Sequence, residues 1–101
     1  MTEHKVYVRV KERKLEYSKE CLCVFPGDTI KWKLGKKCPF GIVIKAFSSP
    51  LDWCHKISVT GEEITAKVLK NAAPGFYPYA FGALIGTELI IDDPEIIVRR
   101  P

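Results

Sequence analysis

The sequence predicts an all-β domain, a Greek-key β-sandwich of about seven to eight short strands with one long irregular connection. Short runs in which apolar and polar residues alternate recur along the chain, and seven glycines and seven prolines separate them. No stretch shows the apolar period of an amphipathic helix of normal length. A length of 101 residues and a hydrophobic content of 47% fit one domain with one core, spanning residues 1–101.

The first half of the chain contains four strand patterns. Valines alternate with other residues over 6–10, and a short extended piece follows at 15–17. A second alternation over 21–24 runs into Phe25-Pro-Gly-Asp28, in which proline fixes one φ angle and glycine supplies the permissive position of a turn. Residues 29–34 lead out of that turn, so we expect a hairpin here.

The second half of the chain contains the remaining strand patterns. A nearly continuous apolar run at 41–46 predicts a central strand. From 47 to 60 the composition is polar and irregular, which predicts the long connection. An immunoglobulin-like sandwich is an alternative arrangement, although the Cys…Trp…Cys spacing of such domains is absent. The other strands are expected at 64–69, 76–81, 89–91 and 96–98.

The charge pattern argues against a nucleic-acid partner. The net charge of +4 comes from lysine-rich segments such as 31–37, in which lysines alternate with apolar residues. The solvent face of a strand has this pattern, whereas a nucleic-acid surface usually carries a stronger basic stripe. No apolar run is long enough to span a bilayer, and residues 1–10 lack the apolar core of a secretory signal. We therefore expect a cytoplasmic protein without a membrane or nucleic-acid partner.

Four cysteines, Cys21, Cys23, Cys38 and Cys54, define one candidate site. In a reducing cytoplasm they are expected as thiols. Cys21 and Cys23 point to one face of a strand, outward if their apolar neighbours are core, and Cys38 could come close to Cys21. A thiol-based metal-binding or redox protein is therefore one candidate function. The other interpretation is that all four are unreactive, small apolar side chains.

Two segments together resemble the cupredoxins, the small β-sandwiches that hold a type 1 copper ion for electron transfer. Val24-Phe-Pro-Gly-Asp-Thr-Ile-Lys-Trp32 is similar to the family's Val-x-x-Gly-Asp-Thr-Val-x-Trp segment. Gly75-Phe-Tyr-Pro-Tyr79, followed by Gly86 and an apolar strand, is similar to the run that enters the ligand loop. With Pro39-Phe-Gly-Ile-Val-Ile44 between them, the resemblance covers most of residues 20–98 and implies a cupredoxin-like sandwich.

The copper ligands that the resemblance implies are missing. A type 1 site needs two imidazoles and a thiolate with a weak axial group. The resemblance places the first histidine at Phe40 and the cysteine at Phe81, and the segment 82–85 contains neither histidine nor methionine. We therefore expect no metal and no cofactor. Both phenyl rings are expected to fill that end of the sandwich as core.

The resemblance also implies a binding function for the same end of the molecule. In copper-bearing relatives the apolar surface around the metal is a docking surface. We therefore expect an apolar cap that binds an unidentified protein partner or a second copy of this chain. The predicted cap consists of Phe40, Phe81, Ala83, Leu84 and Ile85. The sequence thus favours a non-enzymatic binding or protein-interaction module.

Three further side chains are conspicuous. Trp53 either anchors a partner or packs as a lid over one sheet, whereas Trp32 is expected in the core. His55 lies beside Cys54, but no nucleophile elbow accompanies them, so we predict no enzymatic activity. His4 is expected to be an exposed terminal residue.

Overall fold

Ten β-strands and no helix make up residues 1–100, the part of the chain that this computed structural model describes. The all-β class is confirmed, although the strands outnumber the expected seven to eight. No helix in this range is long and apolar enough to cross a membrane. In chain order the strands are β1 (Glu3–Lys11), β2 (Lys14–Tyr17), β3 (Cys21–Val24), β4 (Thr29–Leu34), β5 (Phe40–Ile44), β6 (His55–Ser58), β7 (Ile64–Lys67), β8 (Gly75–Ile85), β9 (Glu88–Asp92) and β10 (Glu95–Val98).

The first sheet has the strand order β2-β1-β4-β7. β1 pairs antiparallel with β2 and parallel with β4, and β4 pairs antiparallel with β7. The expected hairpin between β3 and β4 is therefore wrong, because β3 lies in the other sheet and the chain crosses between the sheets at the turn 25–28. A hairpin and a crossover can bury the same side chains, so alternation predicts the inward residues but not the partner strand.

The second sheet has the strand order β3-β10-β8-β5-β6, and β9 also pairs with β8. The pairs Phe81↔Asp92 and Pro78↔Glu95 share one register, so β9 and β10 continue each other along the same side of β8. The three strands therefore form one long antiparallel hairpin. It closes at Gly86, whose φ of 63° is readily adopted by a residue without a β-carbon.

The irregular connection expected at 47–60 contains a strand. β6 pairs antiparallel with β5 and forms an edge of the second sheet. Its first three residues are all exposed, and an edge strand of this kind shows no alternating apolar pattern in the sequence. The segment before β6 is anchored by Leu51, which is buried and bridges Val68 just after β7.

The core lies between the two sheets and is built from the inward residues of both. Trp32 on β4 and Tyr79 on β8 are fully buried, so the expectation that Trp32 is core is confirmed. The Trp32 Nε1–H donates to the Tyr79 hydroxyl oxygen at 3.2 Å. This hydrogen bond joins the two sheets, and burial raises the pKa of Tyr79 to about 12.

Candidate interaction surface

Phe40 and Phe81 occupy the positions at which the resemblance places copper ligands. Phe40 begins β5 and Phe81 lies within β8, and their exposed fractions are 2% and 0%. The two rings stack with centroids 5.4 Å apart and planes 21° apart, and the Tyr17 ring meets Phe81 edge-on at 5.8 Å. Both phenyl rings are therefore core, as the sequence predicts.

The residues at this end of the molecule do not fit a type 1 copper ion. Such a site needs imidazole and thiolate donors that converge on one point. Here the two expected ligand positions hold phenyl rings in contact with each other. Across residues 1–100, no group of three or more His, Cys, Asp or Glu side chains is placed to hold a metal ion. The donor set of a type 1 copper is thus not assembled at this end.

The predicted apolar cap divides between the core and the surface. Phe40, Phe81 and Ala83 are buried and cannot contact a docked partner directly. Ile85 is partly buried, and only Leu84, at 40% exposed, lies clearly at the surface. Successive residues of a strand point to opposite faces, so a continuous apolar segment of β8 cannot lie on one surface.

A different apolar surface lies on the outer side of the second sheet, across the adjacent strands β6, β5, β8 and β9. Five aliphatic side chains form it, with exposed fractions from 40% to 69%. They surround a shallow groove of about 390 Å³. We call this surface the apolar face, and it comprises Val43, Ile57, Leu84, Leu89 and Ile91.

Two glycines form the floor of the groove. Gly41 on β5 pairs with Gly82 on β8. Gly41 also pairs with Ile57 on β6, and Gly82 pairs with Ile91 on β9. These four residues form one row across β6, β5, β8 and β9. The two glycines in the middle of the row have no side chains, and an isoleucine stands at each end. A β-carbon at Gly41 would lie only 3.3 Å from Ile57 Cγ1, because the isoleucine leans over this floor.

The sequence contains a signal for the apolar face that the motifs do not reveal. Ile42 and Ile44 face the core, so Val43 between them must face outward. Leu89 and Ile91 are outward on β9 by the same alternation. A sheet with one solvated face usually alternates apolar with polar residues. Strand segments with apolar residues on both faces, such as 42–44 and 89–91, therefore indicate an exposed apolar surface that the motifs do not.

Trp53 packs on the chain's own core. Its ring centroid lies 5.9 Å from that of Trp32. Its Nε1–H donates to the Thr65 carbonyl oxygen at 2.9 Å. Both contacts hold the indole against the first sheet, which agrees with the lid interpretation of this residue.

His4 is not the exposed terminal residue that the sequence suggests. Its side chain is 14% exposed, and its Nε2 lies 2.8 Å from Asp28 Oδ2. Asp28 is buried and also accepts hydrogen bonds from the backbone N–H groups of Thr2 and Phe25. This network ties β1 to the turn before β4, so the role of His4 is structural.

The four cysteines do not form one site. Cys21 and Cys23 are exposed on β3, as predicted. Cys38 precedes β5, and three strand spacings, roughly 14 Å, separate β5 from β3. Cys38 therefore does not come close to Cys21. Cys54 lies beside the edge strand β6, one spacing farther away.

The two outlying thiols have different surroundings. Burial raises the pKa of Cys38, which disfavours the reactive thiolate form. Cys54 is exposed, and its Sγ lies 3.5 Å from Nδ1 of the adjacent His55. Cys21 and Cys23 on β3 are therefore the two thiols that share one surface, and Cys54 has only His55 beside it.

Solved structures with a similar architecture are cupredoxins. A purple cupredoxin from Nitrosopumilus maritimus aligns with a TM-score of 0.58 at 15% identity, over 95% of this chain and 99% of that one. A pseudoazurin from Sinorhizobium meliloti aligns with a TM-score of 0.60 at 22% identity, over 100% of this chain and 76% of that one. A copper(I) form of an amicyanin variant aligns with a TM-score of 0.59 at 15% identity, over 94% of this chain and 82% of that one.

Sequence comparison finds no such relatives: no protein-family model and no curated protein matches the chain. At identities of 15–22% the structural likeness concerns the fold alone. It agrees with the resemblance carried by the segments 24–32 and 75–79. This chain is therefore an all-β protein with a cupredoxin-like fold.

Proposed function

We propose that the chain is a non-enzymatic binding module that docks another protein on its apolar face and works without a type 1 copper ion. The observation that carries the proposal is the apolar face itself, five exposed aliphatic side chains around a floor of two glycines. Extended exposed apolar patches often mark interaction sites on soluble proteins. A partner that covers this face removes the patch from water.

Covering the apolar face supplies a limited free energy of association. Full burial of one leucine, isoleucine or valine side chain contributes about 1.5–3 kcal/mol. The five side chains are roughly half exposed, so covering all of them contributes roughly 4–8 kcal/mol before the entropic cost of association is subtracted. That cost is of similar size. A partner is therefore expected to add polar contacts at the rim of the face.

The glycine floor favours a partner with a protruding apolar side chain. At Gly41 and Gly82 the backbone is the surface, so an inserted side chain can approach the sheet closely. Ile57 and Ile91 stand on either side of this floor. A leucine or an aromatic ring placed between them would gain contacts on both flanks and beneath.

The stacked phenyl rings support the part of the proposal that concerns copper. Phe40 and Phe81 fill the end of the sandwich at which the resemblance implies metal ligands. The two histidines of the chain lie elsewhere, His4 in the network with Asp28 and His55 on β6. A binding function uses the remaining surface and requires no metal.

The proposal predicts that a negative charge on the apolar face abolishes docking. Leu84→Asp and Ile91→Asp each introduce a carboxylate that must lose its hydration when the face is covered. The measurement is crosslinking of lysines in the native cell, followed by co-purification and mapping. We expect crosslinks from Lys45, which directly follows β5 beside the face, in the wild type and their loss in both variants.

The matched control is Phe47→Asp, which introduces the same charge outside the face, in place of a fully exposed phenyl ring. This variant should keep every crosslink. Light scattering after size exclusion shows whether the partner is a second copy of the chain, and thermal unfolding verifies that each variant folds. A strictly monomeric wild type whose Leu84→Asp variant retains all cellular contacts would show the proposal to be wrong.

A further inference from the structure

We propose that Cys21 and Cys23 bind one soft monovalent metal ion, such as Cu(I), on the outer surface of β3. This site is separate from the apolar face and from the end of the sandwich that contains Phe40 and Phe81. It is also independent of the function proposed above, since it requires no docked protein.

The strand geometry brings the two thiols to one surface. Leu22 and Val24 of β3 are buried in the core, so the alternate residues Cys21 and Cys23 project outward, and both are exposed. Their Cα atoms are about 6.6 Å apart along the strand. With the zinc–thiolate bond length of about 2.3 Å as a guide, a two-coordinate ion needs sulfur atoms roughly 4.6 Å apart. Rotation about χ1 of two solvent-facing side chains supplies this approach.

The surroundings of Cys21 are rich in carboxylates. Glu95 on β10 pairs with Cys21, and its Oε1 lies 4.0 Å from the Cys21 Sγ. Cys21 also lines a shallow depression with Glu20, Asp92, Asp93 and Glu95. Carboxylates at this distance attract a cation and oppose a free thiolate.

Binding of the ion releases the protons of both thiols. On binding, both S–H bonds break, the two thiolates donate an electron pair each to the ion, and two protons are released to water. No oxidant or reductant takes part in this step.

The number of available ligands selects the class of ion. Cys38 and Cys54 lie at least three strand spacings from β3, so they cannot complete a four-coordinate site. Structural zinc requires four ligands, and among residues 1–100 no third His, Cys, Asp or Glu is placed with these two thiols to hold a metal ion. A soft ion that accepts two thiolates matches the pair, because soft sulfur ligands favour Cu(I) among biological metals.

Anaerobic titration with Cu(I) in the presence of bicinchoninate, a chromophoric competitor, tests the site. We expect the wild-type protein to retain one equivalent of Cu(I), and Cys21→Ser and Cys23→Ser each to lose it. The matched control Cys54→Ser changes another exposed thiol and should retain the ion. Thermal unfolding verifies the fold of each variant, and all three residues are exposed, so the substitutions leave the core unchanged.

Two results would overturn the inference. The first is a wild-type protein that loses all Cu(I) to the competitor. The second is retention by a Cys21→Ser/Cys23→Ser double variant together with loss in Cys54→Ser, which would move the ion to Cys54 and His55. Neither result bears on docking at the apolar face, so the two proposals fail or stand separately.

Discussion

At Asp28, one buried carboxylate has three hydrogen-bond partners from two segments of the chain. Thr2 and Phe25 contribute backbone N–H groups, and His4 contributes Nε2 at 2.8 Å. Burial acts to raise the pKa of Asp28, but the hydrogen bonds with His4 and the two backbone groups together lower the pKa below its usual value. The folded state therefore favours the ionised carboxylate.

Replacing Asp28 with asparagine is expected to lower the free energy of unfolding by about 1–3 kcal/mol at neutral pH. The asparagine amide can accept hydrogen bonds through one oxygen only. Its NH₂ group would then face one of the backbone N–H donors that the second carboxylate oxygen of Asp28 accepts from. Because the folded pKa lies below the unfolded value of about 3.9, the stabilisation by Asp28 is complete above that pH and lost as the pH falls through the folded pKa. Urea titrations at a series of pH values measure this dependence.

The control for this prediction is Asp93→Asn, which removes an exposed ion pair with Lys45. Exposed pairs contribute little, so we expect a change below about 1 kcal/mol. A wild type and an Asp28→Asn variant whose stabilities differ by the same amount at pH 7 and well below pH 4 would contradict the assignment.

Single residues differ in how far the sequence could predict them. The burial of Phe40 and Phe81 was expected from their places in the resemblance, because phenyl rings at that end of a sandwich are stabilised by leaving water. The pairing of His4 with Asp28 had no such signal. The two residues are 24 positions apart, and only the parallel pairing of β1 with β4 brings them together.

At the scale of one element, the turn between β1 and β2 is strained. Glu12 and Arg13 connect the paired residues Lys11 and Lys14, and their φ angles are 50° and 66°. Positive φ at both central positions is characteristic of a type I′ turn, which favours Asn-Gly. Residues with a full side chain are disfavoured there because the β-carbon approaches the backbone.

Replacing Glu12-Arg13 with Asn-Gly is therefore expected to stabilise the protein by about 1–2 kcal/mol. The measurement is the free energy of unfolding in urea. Arg13→Ala is the matched control, since it removes the same side chain and its exposed ion pair with Glu88 but keeps a β-carbon at positive φ. An Asn-Gly variant no more stable than this control would contradict the turn assignment.

Two elements were predicted incorrectly for physical reasons. The sequence predicts a hairpin of β3 and β4 because a Pro-Gly turn joins two alternating segments. The same pattern is compatible with a chain that crosses from one sheet to the other, as it does here. β6 was missed because an exposed edge strand needs no apolar face. Its backbone hydrogen bonds with β5 are tertiary contacts that leave no local pattern.

At the scale of the whole molecule, both sheets contribute to one core. Trp32 from the first sheet and Tyr79 from the second are in contact and share a hydrogen bond. Small single domains with one core usually unfold in one cooperative step. We therefore expect urea transitions followed by far-ultraviolet circular dichroism and by tryptophan fluorescence to coincide.

Two separated transitions would contradict this expectation and would indicate that the sheets unfold independently. Trp32→Phe provides a further comparison. It removes the hydrogen bond between the sheets and leaves the buried Tyr79 hydroxyl without its partner, so the midpoint should fall while the transition remains single. Trp53 remains as the fluorescent probe in this variant.

The candidate surface was predictable only in part. The resemblance directed attention to the segment 81–85, yet only Leu84 of the predicted cap belongs to the apolar face. The other members, Val43, Ile57, Leu89 and Ile91, come from three further strands. Their assembly depends on sheet order, which no local segment encodes.

Local pattern was sufficient for the all-β class and for the inward residues of most strands, and the resemblance pointed to the burial of Phe40 and Phe81. These features depend on alternation along one strand or on the identity of single positions. The order of strands, the crossover after β3, the separation of the cysteines and the apolar face required the folded molecule. Alternation reports which face a side chain takes, whereas the neighbour of each strand is set by contacts between segments far apart in the chain.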